Sequence, residues 1–183
     1  MLYVDLLGQW NRRINLVGAN TMGDVWRRHI LDSAQLFKVL PRQTQILTDL
    51  GSGAGLPGLV LAAMGIPEVH LIESDLRKAA FLREAARVMG VTVTIHPGRI
   101  ERVPAFAADA VVARACAPLD QLIELAEKFL SDRTLCLFPK GEAAATELAA
   151  ARATWAMSAE LVPSLSDPTG TIVKLSGLRR TAT

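Results

Sequence analysis

The sequence predicts an α/β fold with a mostly parallel seven-stranded sheet, N-terminal helices and a C-terminal antiparallel hairpin. Short apolar segments alternate with amphipathic helical segments between residues 46 and 155, a pattern typical of parallel strands joined by crossover helices. Beyond residue 159, two strand-like segments flank a turn at residues 166–170. Because such a turn joins antiparallel strands, we expect an antiparallel pair at one edge of the sheet.

The composition is that of an ordinary globular chain, since 50% of its 183 residues are hydrophobic and 21% are charged. It predicts a single domain over residues 1–183, with a helical cap at residues 1–45 and an α/β core at residues 46–183. The net charge of +2 is too small to indicate general polyanion binding. The chain has no apolar run as long as a membrane span and no signal-peptide pattern, so we expect a cytoplasmic protein without a membrane partner. The spacing of the two cysteines predicts reduced thiols and no metal site.

Two amphipathic helices are predicted before the first strand. Apolar residues at three- and four-residue spacing place the first over residues 2–17 and the second over residues 22–39, with Asn20 or Thr21 as its cap. The predicted apolar stripe of the second helix comprises Met22, Val25, Trp26, Ile30, Ala34 and Phe37. Because the first helix begins almost at residue 1 without a capping residue, we expect N-terminal residues of the natural protein to be missing.

The core elements follow in regular order. Strands are predicted over residues 46–50, 69–73, 91–95, 109–113, 134–138, 160–165 and 171–175. Helices are predicted over residues 59–64, 76–89, 119–130 and 142–155. Gly90 closes the second of these helices, and Pro41 ends the helical region before the first strand. This succession of strand and helix accounts for the parallel part of the predicted sheet.

A glycine-rich turn follows the first core strand, and we refer to residues 51–58 as the glycine loop. Glycine permits positive φ angles and lets the backbone approach a ligand. A turn from a strand into a helix is also where a doubly wound sheet binds a nucleotide-like ligand. Asp49, at the end of the strand, faces a positively charged amino group more sensibly than a pyrophosphate, which favours S-adenosyl-L-methionine as the cofactor. The spacing of Gly53, Gly55 and Gly58 also satisfies the dinucleotide-binding motif, so an NAD-dependent oxidoreductase remains open.

Polar residues at the ends of later strands are further candidates for cofactor binding, substrate binding or catalysis. Glu73 lies where an acid binds the two ribose hydroxyls of an adenosine, an acid that dehydrogenases share. Arg114 offers a planar fork of donors to guanine O6 and N7, to a phosphate or to a cofactor carboxylate, and a salt bridge to a nearby acid is the alternative. The chain lacks the (Asp/Asn)-Pro-Pro-aromatic loop of enzymes that methylate exocyclic amines. Cys116 is either the nucleophile of a C5-pyrimidine methyltransferase or a packing residue.

Several basic residues are candidates for phosphate contacts with a nucleic acid. They are Arg12, Arg13, Arg77, Lys78 and Lys140, each equally compatible with a solvated surface charge. His29 falls beside the apolar stripe of the second helix, which favours a core histidine. In the functional alternative, His29 and Arg28 contact a substrate at the edge of the helical cap.

Several segments of the chain form a recognisable set in a fixed order. They are Trp10-Asn11 with Asn15-Leu16, Arg28-His29-Ile30-Leu31-Asp32-Ser33, Asp49-Leu50 with the glycine loop, Glu73-Ser74 with Arg77-Lys78 and Phe81-Leu82, Arg114-Ala115, and Lys140-Gly141. Together they resemble the RsmG (GidB) family of bacterial small-subunit (16S) rRNA guanine-N7 methyltransferases. The tail at residues 174–183 does not resemble the usual family ending, and we infer nothing about it.

The resemblance implies a Rossmann-like class I fold of S-adenosylmethionine-dependent methyltransferases. The cofactor contacts that it implies are Gly51, Leu56, Ile100, Glu101 and Arg114, with Glu73 at the ribose, and they join Asp49, Gly53 and Gly55 in one expected site. The expected RNA contacts are Arg12, Arg28, His29, Arg77, Lys78 and Lys140. The implied substrate is a guanine of the small-subunit ribosomal RNA, either naked or in the assembled small ribosomal subunit, and a monomer is expected.

The implied reaction needs no general base, because guanine N7 carries a lone pair and no proton. Alignment of N7, the methyl carbon and the sulfur then supplies most of the catalysis. Arg114 is the expected catalytic residue, and because it stays protonated it would act by orienting the cofactor or the base. A non-catalytic RNA- or ribosome-binding module on the same fold is a second alternative, which measurable cofactor binding would distinguish.

Overall fold

The computed structural model describes residues 2–181. Their strands form one seven-stranded sheet with the order β3-β2-β1-β4-β5-β7-β6. The strands are β1 Ile46–Leu50, β2 Glu68–Glu73, β3 Thr94–Pro97, β4 Ala110–Val112, β5 Leu135–Lys140, β6 Trp155–Pro163 and β7 Thr171–Arg180. Strands β1 to β5 pair in parallel, whereas β7 pairs antiparallel with both β5 and β6. The predicted α/β fold with an antiparallel C-terminal hairpin is therefore confirmed.

The helices lie between the strands and before β1. They are α1 Leu2–Asn11, α2 Asp32–Ala34, α3 Leu36–Val39, α4 Gly58–Ala63, α5 Leu76–Met89, α6 Leu119–Ala126 and α7 Ala144–Ala151. Shorter 3-10 turns cover Ala19–Asp24, Ile100–Arg102 and Glu127–Phe129, and a π-helical turn covers Trp26–Leu31. Asp75 caps α5, because its side chain accepts hydrogen bonds from the backbone N–H groups of Arg77 and Lys78. Gly90 ends α5 in the left-handed conformation, at a φ of 68°.

The first helix is shorter than its apolar spacing predicts. It ends at Asn11 rather than at residue 17. The Asn11 side chain accepts hydrogen bonds from the backbone N–H groups of Leu16 and Val17, at 2.9 and 3.0 Å, and donates to the carbonyl of Val17. The prediction fails because this side chain takes the place of helical backbone partners, while Val17 still reaches the core.

The buried face of the second helical region differs from the predicted stripe by one position. Val25, His29, Ser33 and Leu36 are buried, whereas Trp26, a predicted stripe residue, is 54% exposed. The π-helical turn explains the difference, because its i→i+5 hydrogen bonds change which residues share a face. The predicted caps are also wrong, since the region begins after Gly18 and no side chain caps it.

Three other predicted boundaries differ from the structure. The third strand lies three residues later than predicted and pairs with β2 from Thr94 onward. The helix predicted over residues 142–155 ends at Ala151 because Trp155 already begins β6. The last strand, predicted over residues 171–175, continues to Arg180, and Arg180 pairs with Glu127 at 2.6 Å.

Two hydrophobic clusters pack on the sheet. The first includes Tyr3, Leu7, Leu36 and Phe81, so that the N-terminal helices share a core with the sheet. The second covers the other face and includes Phe129, Phe138 and Trp155. Among residues 2–181, no helix has the length and apolarity needed to cross a membrane.

The β6–β7 connection reaches the carboxyl edge of the parallel sheet. Lys140, the last residue of β5, pairs with Thr171, the first residue of β7. Residues 164–170 join β6 to β7, and we call them the hairpin loop. They therefore lie beside the carboxyl ends of the parallel strands. Ligands of doubly wound sheets bind at this edge.

Candidate active site

The glycine loop has backbone angles that favour glycine. Gly51, Gly53 and Gly55 have φ angles of 65°, 54° and 80°, which side-chain-bearing residues rarely adopt. A Cβ on Gly51 would also lie 2.6 Å from the Sγ atom of Cys116. Glycine is therefore required at position 51 both by conformation and by the close approach of the loop that follows β4.

Asp49 lies beneath the glycine loop and is completely buried. Its Oδ2 atom accepts a hydrogen bond from the N–H of Gly58 at 3.0 Å, whereas its Oδ1 atom has no partner among residues 2–181. Burial raises the pKa of Asp49 to about 7, against the lowering effect of the Gly58 hydrogen bond. An unpaired buried carboxylate oxygen is costly. A positively charged group of a ligand beside this oxygen would offset that cost.

Glu73 ends β2 and connects the glycine loop to the start of α5. One carboxylate oxygen accepts from the N–H of Gly53 at 2.8 Å, and the other accepts from the N–H of Asp75 at 2.7 Å. Each oxygen has a second lone pair that these bonds do not use. Glu73 can therefore brace the loop and still accept hydrogen bonds from a pair of ligand hydroxyls.

A cavity of about 380 Å³ opens beside the glycine loop, and we call it the glycine-loop cavity. Its volume lies within the range of roughly 300 to 1,000 Å³ that is typical of small-molecule sites. The predicted site residues that line it are Gly51, Gly53, Leu56, Arg28, His29, Lys78 and Arg114. Asp49 and Gly55 are buried behind its wall.

Ile100 and Glu101 lie elsewhere at this edge. They line a separate cavity of about 730 Å³ together with Leu125 and Lys128. The Lys128 ammonium donates a hydrogen bond to the carbonyl oxygen of Glu101 at 3.0 Å and holds this turn in place. The structure thus does not bring these two predicted cofactor contacts into the glycine-loop cavity.

Arg114 lies between the glycine-loop cavity and another cavity that does not include Ile100 or Glu101. Its Nη1 atom donates to the carbonyl of Arg28 at 3.1 Å and to the Asp32 carboxylate at 3.3 Å. The side chain is only 17% exposed. The salt bridge considered from the sequence is therefore present, and it fixes the guanidinium at the edge of the glycine-loop cavity.

The cavity on the other side of Arg114 has a volume of about 540 Å³, and we call it the hairpin-loop cavity. Its walls are formed by the N-terminal helical region, the end of β5 and the hairpin loop. The two cavities share Arg28, Arg114 and Ala115. The contribution of the hairpin loop to the site could not be predicted from its residues, because they are those of any polar turn.

A buried amide holds the hairpin loop against the N-terminal helices. Gln35 donates to the Asp32 carboxylate at 3.0 Å and to the Ser164 hydroxyl at 3.1 Å, and it accepts from the N–H of Leu165 at 2.7 Å. The Ser166 hydroxyl donates to the same Asp32 carboxylate. Because Asp32 also pairs with Arg114, one network fixes the hairpin loop and the arginine together.

His29 is buried in the wall of the glycine-loop cavity. Its Nε2 atom lies 2.6 Å from the hydroxyl of Thr21, which already donates its hydrogen to the carbonyl of Gly18. The imidazole must therefore donate from Nε2, which leaves a lone pair on Nδ1 without a partner among residues 2–181. Burial and the Arg114 charge lower the pKa of His29 to about 4, so the ring is neutral at pH 7 and offers no positive charge to a phosphate.

The other predicted RNA contacts have different surroundings. Arg28 and Lys78 line the cavities, whereas Arg12 is exposed on the outside. Arg77 is exposed and pairs with Asp75 at 3.0 Å. Lys140 pairs with Glu147 at 2.9 Å and donates to the carbonyl of Ala117, so much of its charge is compensated within the chain.

Two further residues bear on the chemistry. Tyr3, for which the sequence predicts no role in the site, donates from its hydroxyl to the carbonyl of Ala54 in the glycine loop at 2.7 Å. Burial and the carboxylates of Asp49 and Glu73 raise the pKa of the Cys116 thiol. This disfavours a nucleophilic role for Cys116, because the thiolate is the reactive form.

Comparison with known proteins identifies relatives over almost the whole chain. A family profile described as GidB, rRNA small subunit methyltransferase G, matches residues 1–172. The ribosomal RNA small subunit methyltransferase G of Rhodospirillum centenum is 58% identical over 174 residues, which cover 95% of this chain and 81% of the relative. The protein of the same name from Rhodospirillum rubrum is 51% identical over 178 residues, which cover 97% of this chain and 89% of the relative.

Solved structures show the same fold at much lower identity. The structure of TYW2 from M. jannaschii, determined in complex with AdoMet, superimposes with a TM-score of 0.61 and 16% identity. The match covers 93% of this chain and 80% of that chain. At this identity the likeness shows a common fold.

Proposed function

Because this chain belongs to the rRNA small subunit methyltransferase G (GidB) family, we propose that it methylates N7 of one guanine in small-subunit ribosomal RNA. The observation that carries the proposal is the pair of cavities that meet at Arg114. One has the glycine-loop architecture of a nucleoside-type cofactor site, and the other, of about 540 Å³, would hold the acceptor base. A transfer between two bound molecules requires this kind of adjacency.

The cofactor is S-adenosyl-L-methionine, which supplies an electrophilic methyl group on a sulfonium. Gly51, Gly53 and Leu56 would form the wall against which it binds. The unpaired oxygen of Asp49 would face its amino group, and the free lone pairs of Glu73 would accept from its ribose hydroxyls. The turn at Ile100–Arg102 lines a separate cavity, so its contact with the adenine stays a prediction from the sequence.

The side chains of the site fit a reaction without proton transfer. The N7 lone pair forms the new bond to carbon while the electron pair of the broken carbon–sulfur bond stays on sulfur, so no base is needed. Arg114 stays protonated, and its ion pair with Asp32 fixes its position. Its remaining N–H groups form no hydrogen bond with residues 2–181 and can donate to guanine O6, which would orient the base.

The acceptor guanine must leave any helical stack, because the deep groove of an RNA helix hides N7. Arg28 and Lys78, which line the cavities, are the best placed positive charges for the adjoining phosphates. We place the reaction in the cytoplasm, on rRNA or an assembled small subunit, and a monomer suffices because residues of one chain line both cavities. No observation favours an NAD-dependent oxidoreductase or a non-catalytic binding module over this function.

The proposal is tested with small ribosomal subunits that lack N7-methylguanine. Incubation with methyl-labelled S-adenosylmethionine should place the label in 7-methylguanosine at one position of the RNA. Arg114→Ala should lower kcat/KM by at least tenfold, a loss of about 1.4 kcal/mol or more of transition-state stabilisation. Arg87→Ala is the matched control, because Arg87 is an exposed arginine that pairs with Glu84 on α5. Bound cofactor without any labelled small-subunit RNA would contradict the proposed substrate.

A further inference from the structure

The hairpin-loop cavity carries an oriented carboxylate. Asp167, in the hairpin loop, lines this cavity. Its Oδ1 atom accepts hydrogen bonds from the backbone N–H and from the hydroxyl of Thr169, both at 2.9 Å. Its Oδ2 atom forms no hydrogen bond with residues 2–181. The exposed side chain is therefore held by one oxygen, and its other oxygen is free to accept hydrogen bonds.

The loop that carries Asp167 is itself fixed. The carbonyl of Asp167 accepts from the N–H of Gly170 at 3.0 Å, and its own N–H donates to the Ser164 hydroxyl at 3.3 Å. Ser164 is bonded in turn to the buried amide of Gln35. The position of the carboxylate is thus set before any substrate arrives, which reduces the ordering cost of binding.

The order of residues across the site determines which edge of a base meets this loop. The donor cavity lies on the glycine-loop side of Arg114, and the hairpin loop lines only the cavity on the other side. A guanine that turns N7 toward the methyl donor points its N1–H and its 2-amino group in the opposite direction. Those two donors then face the hairpin loop.

We propose that Asp167 recognises the Watson–Crick edge of the acceptor guanine by accepting hydrogen bonds from N1–H and the 2-amino group, an inference that rests on the proposed function. A carboxylate is acceptor-only, so it matches this donor pair and disfavours adenine, whose N1 is an acceptor. During transfer, positive charge passes from the sulfonium to the base. A carboxylate at the far edge of the base also stabilises that developing charge.

The test removes one hydrogen-bond donor from the base. Once the methylated position is mapped, small subunits are reconstituted with guanosine or inosine there, because inosine keeps N7 and N1–H and lacks the 2-amino group. The wild-type protein should prefer guanosine in kcat/KM by roughly five- to a hundredfold, the range for a good hydrogen-bonded base contact. Asp167→Ala should bring the ratio close to one, mainly through a loss on guanosine.

Two further variants keep the test interpretable. Asp132→Ala removes an exposed acid that pairs with Arg179 far from the cavity, and it should keep the wild-type preference. Asp167→Asn preserves an acceptor for Thr169 but turns an amide toward the guanine donors, so it should lower the rate on guanosine even if the alanine variant folds poorly. An unchanged preference for guanosine in both Asp167 variants would overturn this inference and leave the proposed function standing. Absence of 7-methylguanosine with the wild-type protein would overturn the proposed function and this inference together.

Discussion

At the scale of single residues, two acids define the donor side of the site by different means. Glu73 uses both oxygens to brace backbone N–H groups and keeps lone pairs free. Asp49 instead leaves one buried oxygen without a partner, at a pKa of about 7. The first is arranged to accept from hydroxyls, and the second gains most from a cation.

The Asp49 carboxyl makes cofactor binding depend on pH. Below a pKa of about 7 it is protonated, so it must lose a proton before it can pair with an ammonium group. We therefore expect the Kd for S-adenosylmethionine to be several-fold larger at pH 6 than at pH 7.5. Isothermal titration calorimetry across this range measures the effect, and His29 does not contribute because its pKa is about 4.

Asp49→Asn is the control for that measurement, and it should bind the cofactor weakly and with little pH dependence. The stability of the cofactor-free protein should change with pH in the opposite direction to the cofactor affinity. Because the folded pKa of Asp49 lies above its ordinary value, the free energy of unfolding of the cofactor-free protein should fall as pH rises toward 7. An affinity of the wild-type protein that stays flat from pH 6 to pH 7.5 would contradict the role assigned to Asp49.

Gly51 is the residue at which an added methyl group should do the most harm. Gly51→Ala combines a φ of 65° with a Cβ only 2.6 Å from the Cys116 Sγ atom. Gly90→Ala is the matched control, because its φ is 68° and nothing lies within 4 Å. Urea unfolding should show a loss of roughly 1 kcal/mol for Gly90→Ala and a distinctly larger loss for Gly51→Ala.

A double mutant separates the two contributions at Gly51. Gly51→Ala combined with Cys116→Ala removes the close contact and leaves only the backbone strain. The double mutant should therefore be more stable than the sum of the single changes implies. Strict additivity would show that the contact with Cys116 does not determine the requirement for glycine.

At the scale of elements, the N-terminal helices support each cavity through a different contact. Tyr3 of α1 holds the glycine loop through the carbonyl of Ala54. Gln35, between α2 and α3, holds the hairpin loop through Ser164 and Leu165. The helical region therefore positions both walls of the site, and the two contacts can be broken separately.

Removing the Tyr3 contact and removing the Gln35 contact should weaken the binding of different substrates. Tyr3→Phe removes one buried hydrogen bond, keeps the packing against Phe81, and should raise the Kd for S-adenosylmethionine with little change in KM for the subunit. Gln35→Leu should do the reverse, raising KM for the subunit. Each change should also cost roughly 1 to 3 kcal/mol of stability, since buried partners lose their hydrogen bonds. Equal effects of both variants on both substrates would contradict the separate roles.

At the scale of the whole molecule, the sequence predicted what depends on local pattern. Strand–helix alternation predicted the sheet, and the glycine loop with Glu73 predicted the carboxyl edge at which the cavities lie. The sequence could not predict contacts that depend on pairing between distant segments. The hairpin loop reaches the site only because Thr171 pairs with Lys140, and Gln35 meets Ser164 across more than a hundred residues.

Local side-chain chemistry produced the other differences. Asn11 ends α1 early although the apolar spacing continues, and the π-helical turn moves His29 rather than Trp26 into the core. The shared hydrophobic cluster of the N-terminal helices and the sheet supports our proposal that residues 1–183 form one domain. The assignments of the individual site residues stay predictions that the variants above address.

The central claim, transfer to N7, is tested most directly by replacing one atom of the acceptor. Small subunits are reconstituted with guanosine or with 7-deazaguanosine at the mapped position, since 7-deazaguanosine keeps the Watson–Crick edge and has carbon in place of N7. The account predicts methyl transfer to the guanosine subunit and none at that position in the 7-deazaguanosine subunit. Transfer to both at comparable rates would contradict it and assign the chemistry to another atom.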